Sequence, residues 1–220
     1  MFPNWAKNIL FLLVYMISGL ILAIIIEGLT SGSDLTPLNT VVQGLIVSLR
    51  TPLVTTLVVF LTQFGNPFVL ACVALLIAVI LFVRGNAYDA ALFLAAMGVA
   101  LVSLTVLKNF FQISRPVSDV YKAEGWSFPS GHATIATAFF FMICVTFFNK
   151  LKTIQSRVIL IVASVIGTLI ICFTRLYLGA HWALDVLAGI ALGVLSVSFT
   201  VLLFSIFLEG NRSLRKKLNL

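Results

Sequence analysis

Long, unbroken apolar runs dominate this chain, and they constrain it more than any other feature. The first covers residues 9–26. Eighteen helical residues rise about 27 Å, close to the ~30 Å hydrocarbon core of a bilayer. A membrane β-barrel would alternate apolar and polar residues. Here the runs are continuous, so the spans are helices with every backbone group satisfied internally. Composition agrees: 61% of the 220 residues are hydrophobic, 10% are charged, and mean hydropathy is +1.16. A soluble domain has about 45–50% apolar and about 25% charged residues. The chain therefore reads as an integral membrane protein. Its net charge of +7 is attributed to basic cytoplasmic loops rather than to nucleic-acid binding.

Six spans are expected, at residues 9–26, 67–83, 90–107, 130–148, 158–173 and 181–208. A cleaved signal peptide is the alternative for the first. Its length and the lack of an A-x-A site argue against that. Residues 27–66 are mixed. "EGLTSGSDLTP" is loop chemistry, and residues 38–64 are apolar but broken by Gln43, Arg50, Pro52 and Gln63. One or two interfacial or re-entrant helices are expected there. The fold class is thus all-α: a six-transmembrane-helix bundle with a short extracytoplasmic helical region between spans 1 and 2. Residues 1–220 form a single integral-membrane domain, without internal repeats. Cys72, Cys144 and Cys172 lie inside apolar runs and read as small buried hydrophobes, not as disulfides or metal ligands.

The positive-inside rule orients the bundle. With both termini cytoplasmic, Lys7, Arg84, Lys150, Lys152, Arg157, Arg212, Arg215, Lys216 and Lys217 lie inside. Arg50, Lys108, Arg115, Lys122 and Arg175 lie outside. Nine against five is the expected bias. It sharpens if three of the outer five belong to a site.

Three polar clusters fall at outer span ends. In "KNFFQISRP", Lys108 and Arg115 are two helical turns apart and suit an anion, although for this pair alone snorkelling toward headgroups is the favoured account. Pro116 ends the helix just before Arg115. In "FPSGH", Ser130 is a candidate N-cap and Gly131 permits close backbone approach. His132 follows on the first turn, where free N–H groups and the helix dipole favour an oxyanion. In "TRLYLGAHWALD", His181 and Asp185 are four apart and expected on one helix face. A carboxylate there fixes the imidazole tautomer and frees the other nitrogen as a nucleophile. Arg175 adds a third cation. An ion pair that only fixes helix packing is the structural alternative. Because spans alternate in direction, all three clusters meet on one membrane face. Three cations, a helix N-terminus, two histidines and a carboxylate suit phosphoryl transfer.

These motifs resemble the type 2 phosphatidic acid phosphatase superfamily, whose signature is Lys-x6-Arg-Pro, Pro-Ser-Gly-His and Ser-Arg-x5-His-x3-Asp. The matching positions are Lys108, Arg115 and Pro116; Pro129, Ser130, Gly131 and His132; and Arg175, His181 and Asp185. They span residues 108–185. Thr174 stands where the family usually has Ser and keeps the hydroxyl. The resemblance implies that His181 forms a phosphohistidine, that Asp185 orients it, and that His132 is the general acid to the leaving group. It implies that Lys108, Arg115, Ser130, Gly131 and Arg175 bind the phosphate. No metal or other cofactor is implied.

A site at the membrane surface suggests a lipid-anchored phosphate as partner, with the tail in the bilayer. Undecaprenyl pyrophosphate leads by family analogy alone. Phosphatidylglycerol phosphate, phosphatidic acid and lipid A phosphates are alternatives. So are two other classes: a lipid phosphotransferase, and a lipid transporter that needs no His181–Asp185 pair. Hydropathy argues against a haloperoxidase, which would need a soluble setting. Residues 27–66 carry no motif and are expected to shape substrate access. The sequence sets no oligomeric state.

Overall fold

A computed structural model describes residues 4–31 and 36–210. The basic tail with Arg212, Arg215, Lys216 and Lys217 lies outside the described residues. Eight α-helices follow in order: α1 (Asn4–Thr30), α2 (Thr36–Val47), α3 (Pro52–Phe64), α4 (Pro67–Val83), α5 (Ala87–Phe111), α6 (Gly131–Phe147), α7 (Ile154–Tyr177) and α8 (Ala183–Gly210). No strand occurs among the described residues. Five helices, α1 and α5 to α8, are long and apolar enough to cross a membrane. The 17 residues of α4 form a shorter apolar helix, about 25 Å long. By length and composition the described helices hold five candidate spans, or six if the bent α2–α3 pair is taken as one span.

The bundle is built around α8, against which α1, α5 and α6 pack. Between lipid-immersed helices there is no hydrophobic drive, so close backbone contact must hold them. Gly189 and Gly193 supply it. A Cβ on Gly193 would stand 2.7 Å from the Thr134 carbonyl oxygen and 2.8 Å from Thr137 Cβ. Only a bare Cα lets α6 and α8 touch there. The polar side chains of α8 turn inward: Ser196 donates to the Leu192 carbonyl at 2.7 Å and Thr200 to that of Ser196 at 2.8 Å. These two hydroxyls are thereby satisfied without leaving their own helix.

Residues 27–66 return to the end of the bundle they leave. α1 lies antiparallel to α8, with Asn8 accepting from Ser205 at 2.9 Å near one end and Gly19 against Leu195 further along. It therefore ends beside the start of α8. α4 starts at the same end, where Pro67 lies near Gly131. Between them α2 and α3 form a pair bent by 118°, re-entrant in geometry. Pro52 was expected as an interruption, yet it opens a helix. Thr51 caps α3 by accepting from the Val54 N–H, with Pro52 at the first position, and Asn66 with Pro67 does the same for α4. Proline is tolerated there because that N–H has no helical acceptor. The bend is fixed to α7: Arg50 Nε donates to the Tyr177 carbonyl at 3.0 Å, and the Tyr177 hydroxyl accepts from Thr51 N at 3.2 Å.

Of the three cysteines expected to be buried, Cys172 is buried and Cys144 half-buried, but Cys72 is exposed on α4. That helix has neighbours on few sides, so an apolar position on it can face outward.

Candidate active site

The ends of α5 and α7, the starts of α6 and α8, and the loop from 112 to 130 converge at one end of the bundle. Helix dipoles favour the charges placed there. Lys108 is in the last turn of α5, Arg175 in the last turn of α7, and Asp185 in the first turn of α8. α5 stops four residues before Arg115, at Gln112, which takes the left-handed conformation with φ 49°. The helix thus ends earlier than the expected point just before Arg115, and Lys108 and Arg115 share no helix face. They converge through the loop instead. Lys108 Nζ donates to the Trp126 carbonyl at 2.7 Å, and Arg115 donates to those of Glu124 at 3.0 Å and Gly125 at 2.9 Å.

His181 and Asp185 are also placed differently from the expectation of one helix face. α8 begins at Ala183, so His181 precedes it. The turn between α7 and α8 needs Gly179 at φ +62°, where a Cβ would meet Arg50 Nη2 at 2.9 Å. Asp185 then reaches back to accept the Trp182 N–H at 2.8 Å, one half of a capping box. The same Oδ2 lies 3.5 Å from His181 Nδ1. The pair survives, held by the helix start rather than by the helix face.

The protonation of His181 follows from its neighbours. Arg115 Nη1 lies 3.1 Å from His181 Nε2. A guanidinium only donates, so Nε2 must accept and carry a lone pair. The ring proton is then on Nδ1, facing Asp185. Burial pushes His181 below its ordinary value, to about 4, against the pull of Asp185; Arg115 and Arg175 act in the same direction as burial. A neutral imidazole with its Nε2 lone pair toward a cation can act as a nucleophile once an anion takes over the Arg115 donor that the lone pair now accepts.

Ser130 caps α6 as expected, accepting from Ala133 N at 3.5 Å, and its own N–H donates to the Asp185 carbonyl at 3.0 Å. Gly131 is buried against Leu104 and Pro67. His132 is half-buried on the first turn of α6, within electrostatic reach of Arg175, His181, Arg115 and Lys108. The structure thus brings together all eight residues singled out from sequence. Among the described residues, no three His, Cys, Asp or Glu side chains group as a metal site.

Three contributors were not singled out. Ser127, fully buried, donates to Asp185 Oδ2 and lies 3.5 Å from His181 Nδ1. Asn39 of α2 accepts the Leu184 N–H at 3.2 Å, one of the free donors at the start of α8. Thr62 of α3 accepts from Arg175 Nη1 at 2.8 Å. A small cleft beside His181 is walled by Asn39, Gln43 and Ile46 of α2. The signal for Asn39 was a polar residue on a short apolar helix. Ser127 and Thr62 had none beyond being hydroxyls.

Taken together, these features define a helical membrane protein with a buried His–Asp pair under three cations. The chain belongs to the PAP2 superfamily, which it matches over residues 89–208. It is 31% identical over 157 residues to phosphatidylglycerophosphatase B of Bacillus subtilis (strain 168), covering 68% of this chain and 74% of that protein. It is 29% identical over 144 residues to an undecaprenyl-diphosphatase of Sulfolobus acidocaldarius, covering 62% of this chain and 64% of that protein. The fold resembles that of a transmembrane PAP2 type phosphatidylglycerolphosphate phosphatase from Bacillus subtilis. The TM-score is 0.69 at 22% identity, over 93% of this chain and 97% of the other.

Proposed function

We propose that this protein is a membrane phosphatase that hydrolyses a lipid phosphate or pyrophosphate through a phosphohistidine on His181, without a metal. The observation that carries the reading is the placement of His181, with Nε2 3.1 Å from Arg115 Nη1, a contact in which it can only accept, and Asp185 on the opposite nitrogen. Phosphate charge would be met by Lys108, Arg115, Arg175 and the N–H groups at the start of α6. Nε2 attacks phosphorus while the bond to the leaving oxygen breaks, and His132 gives that oxygen a proton. His132 then takes a proton from water as the water oxygen attacks phosphorus. The N–P bond breaks, inorganic phosphate leaves, and both histidines return to their starting state.

The site is read as facing the cell exterior. Lys7, Arg84, Lys150, Lys152 and Arg157 sit at the opposite end of the helices, which positive-inside bias assigns to the cytoplasm. Two substrates are carried forward, phosphatidylglycerol phosphate and undecaprenyl pyrophosphate, because relatives bear those two activities in their names.

Phosphate release by detergent-purified protein, from both lipids and phosphatidic acid, tests the reading. Wild type is expected to release phosphate and His181→Ala to lose at least about a thousandfold in kcat with its helical content intact. Transfer of phosphate to another lipid with none released would favour a phosphotransferase. Lipid movement by His181→Ala without turnover would favour a transporter.

A further inference from the structure

Resting on the proposed function, we propose that Thr62 of α3 is a positioning residue for Arg175, so that the re-entrant pair is a working part of the phosphate site. Arg175 is 2% exposed and Thr62 1%. A guanidinium that deep is costly unless its donors are met. Thr62 Oγ1 meets one, accepting from Arg175 Nη1 at 2.8 Å. It also lies 3.0 Å from Thr174 Oγ1, a contact that ties the two hydroxyls together. Thr174, itself 1% exposed, is anchored to the Ile171 carbonyl at 2.7 Å. The hydroxyl at 174 thus ties α3 to the arginine next to it. On the other side the Tyr121 ring lies 5.1 Å from the guanidinium carbon. Arg175 Nε has no protein partner.

This geometry divides the guanidinium between two tasks. Thr62 holds one nitrogen and Tyr121 covers a face, which fixes the plane of the fork. Nε is the donor left for an anion, and a planar fork binds phosphate well only when its plane is set. α3 is itself held in place: a Cβ on Gly65 would lie 2.4 Å from Ile171 Cγ2, so its end is pressed against α7. A threonine within 13 apolar-rich residues thereby acts on the site across more than a hundred residues of sequence.

Replacement of Thr62 by valine keeps shape and removes the oxygen. A hydrogen bond to a charged group corresponds to about tenfold to a hundredfold in an equilibrium or rate constant. We therefore expect Thr62→Val to lower kcat/KM for the preferred lipid by about that factor. Inhibition by orthovanadate, a phosphate-shaped anion, should weaken in parallel. Thr62→Ser, which restores the oxygen, should return both within about threefold. Should Thr62→Val not fold, Thr62→Ala offers the same comparison. In an Arg175→Lys background, which removes the fork, the valine change should cost less than it does in wild type. Wild-type kcat/KM and vanadate sensitivity in Thr62→Val would overturn the role of Thr62 alone. So would a loss that serine does not restore, or one that is equal in both backgrounds. Absence of phosphate release by the wild type would overturn the proposed function, and this proposal with it.

Discussion

Asp185 joins several parts of the site through one residue. Its Oδ2 accepts from Ser127 and from the Trp182 N–H and faces His181, while its carbonyl accepts from Ser130 N. Removing the Ser127 hydroxyl leaves a buried carboxylate short of a donor, a loss of about 1.5–3 kcal/mol. Ser127→Ala is expected to lower kcat about tenfold or more and to reduce thermal stability. Unchanged kinetics would assign Ser127 to the loop alone. The state of His181 is directly observable, because the chain has only two histidines. In 15N-histidine spectra its titration midpoint should fall far below 6.5, near 4. A midpoint at or above 6.5 would mean that the Arg115 contact does not hold the ring neutral. His181, Asp185, Arg115 and Arg175 were legible in the sequence because charge in an apolar chain is costly and stands out. Ser127 and Thr62 were not, because a hydroxyl in a helix or loop usually bonds its own backbone and looks the same either way.

At the scale of elements, the contact between α6 and α8 sets the distance between Ser130 and Asp185. Alanine at Gly193 would push a methyl against the backbone of α6, at a cost of about 1–3 kcal/mol. Gly193→Ala should lower the Tm in detergent and also weaken activity. Gly98→Ala, where a Cβ meets nothing within 4 Å, should do neither. Equal Tm values for the two would show that the close approach is dispensable. The five long helices were legible because a bilayer demands about 20 apolar residues in a row. Their ends were less so: α1, α5 and α7 each extend several residues beyond the hydrophobic core that announced them, since hydrogen bonding continues into the interface. The α2–α3 pair was legible as one or two interfacial or re-entrant helices, but not its bend. Its bend depends on Arg50 and Tyr177 meeting across 127 positions, which no local pattern records.

At the scale of the whole molecule, every group assigned to phosphate chemistry lies at one end of the bundle. The opposite end carries the Lys150–Asp89 ion pair at 2.6 Å, partly exposed and worth little to stability. With no role given to a metal, millimolar EDTA is expected to leave phosphate release within about twofold, since histidine and cations supply the chemistry. Strong inhibition reversed by one added divalent ion would contradict that. The direct test of the mechanism is to trap the intermediate. Protein quenched during turnover of 32P-labelled lipid should carry an acid-labile, base-stable phosphate, located by peptide mapping at His181 and missing from His181→Ala. Label on any other residue, or full turnover by His181→Ala, would contradict the phosphohistidine.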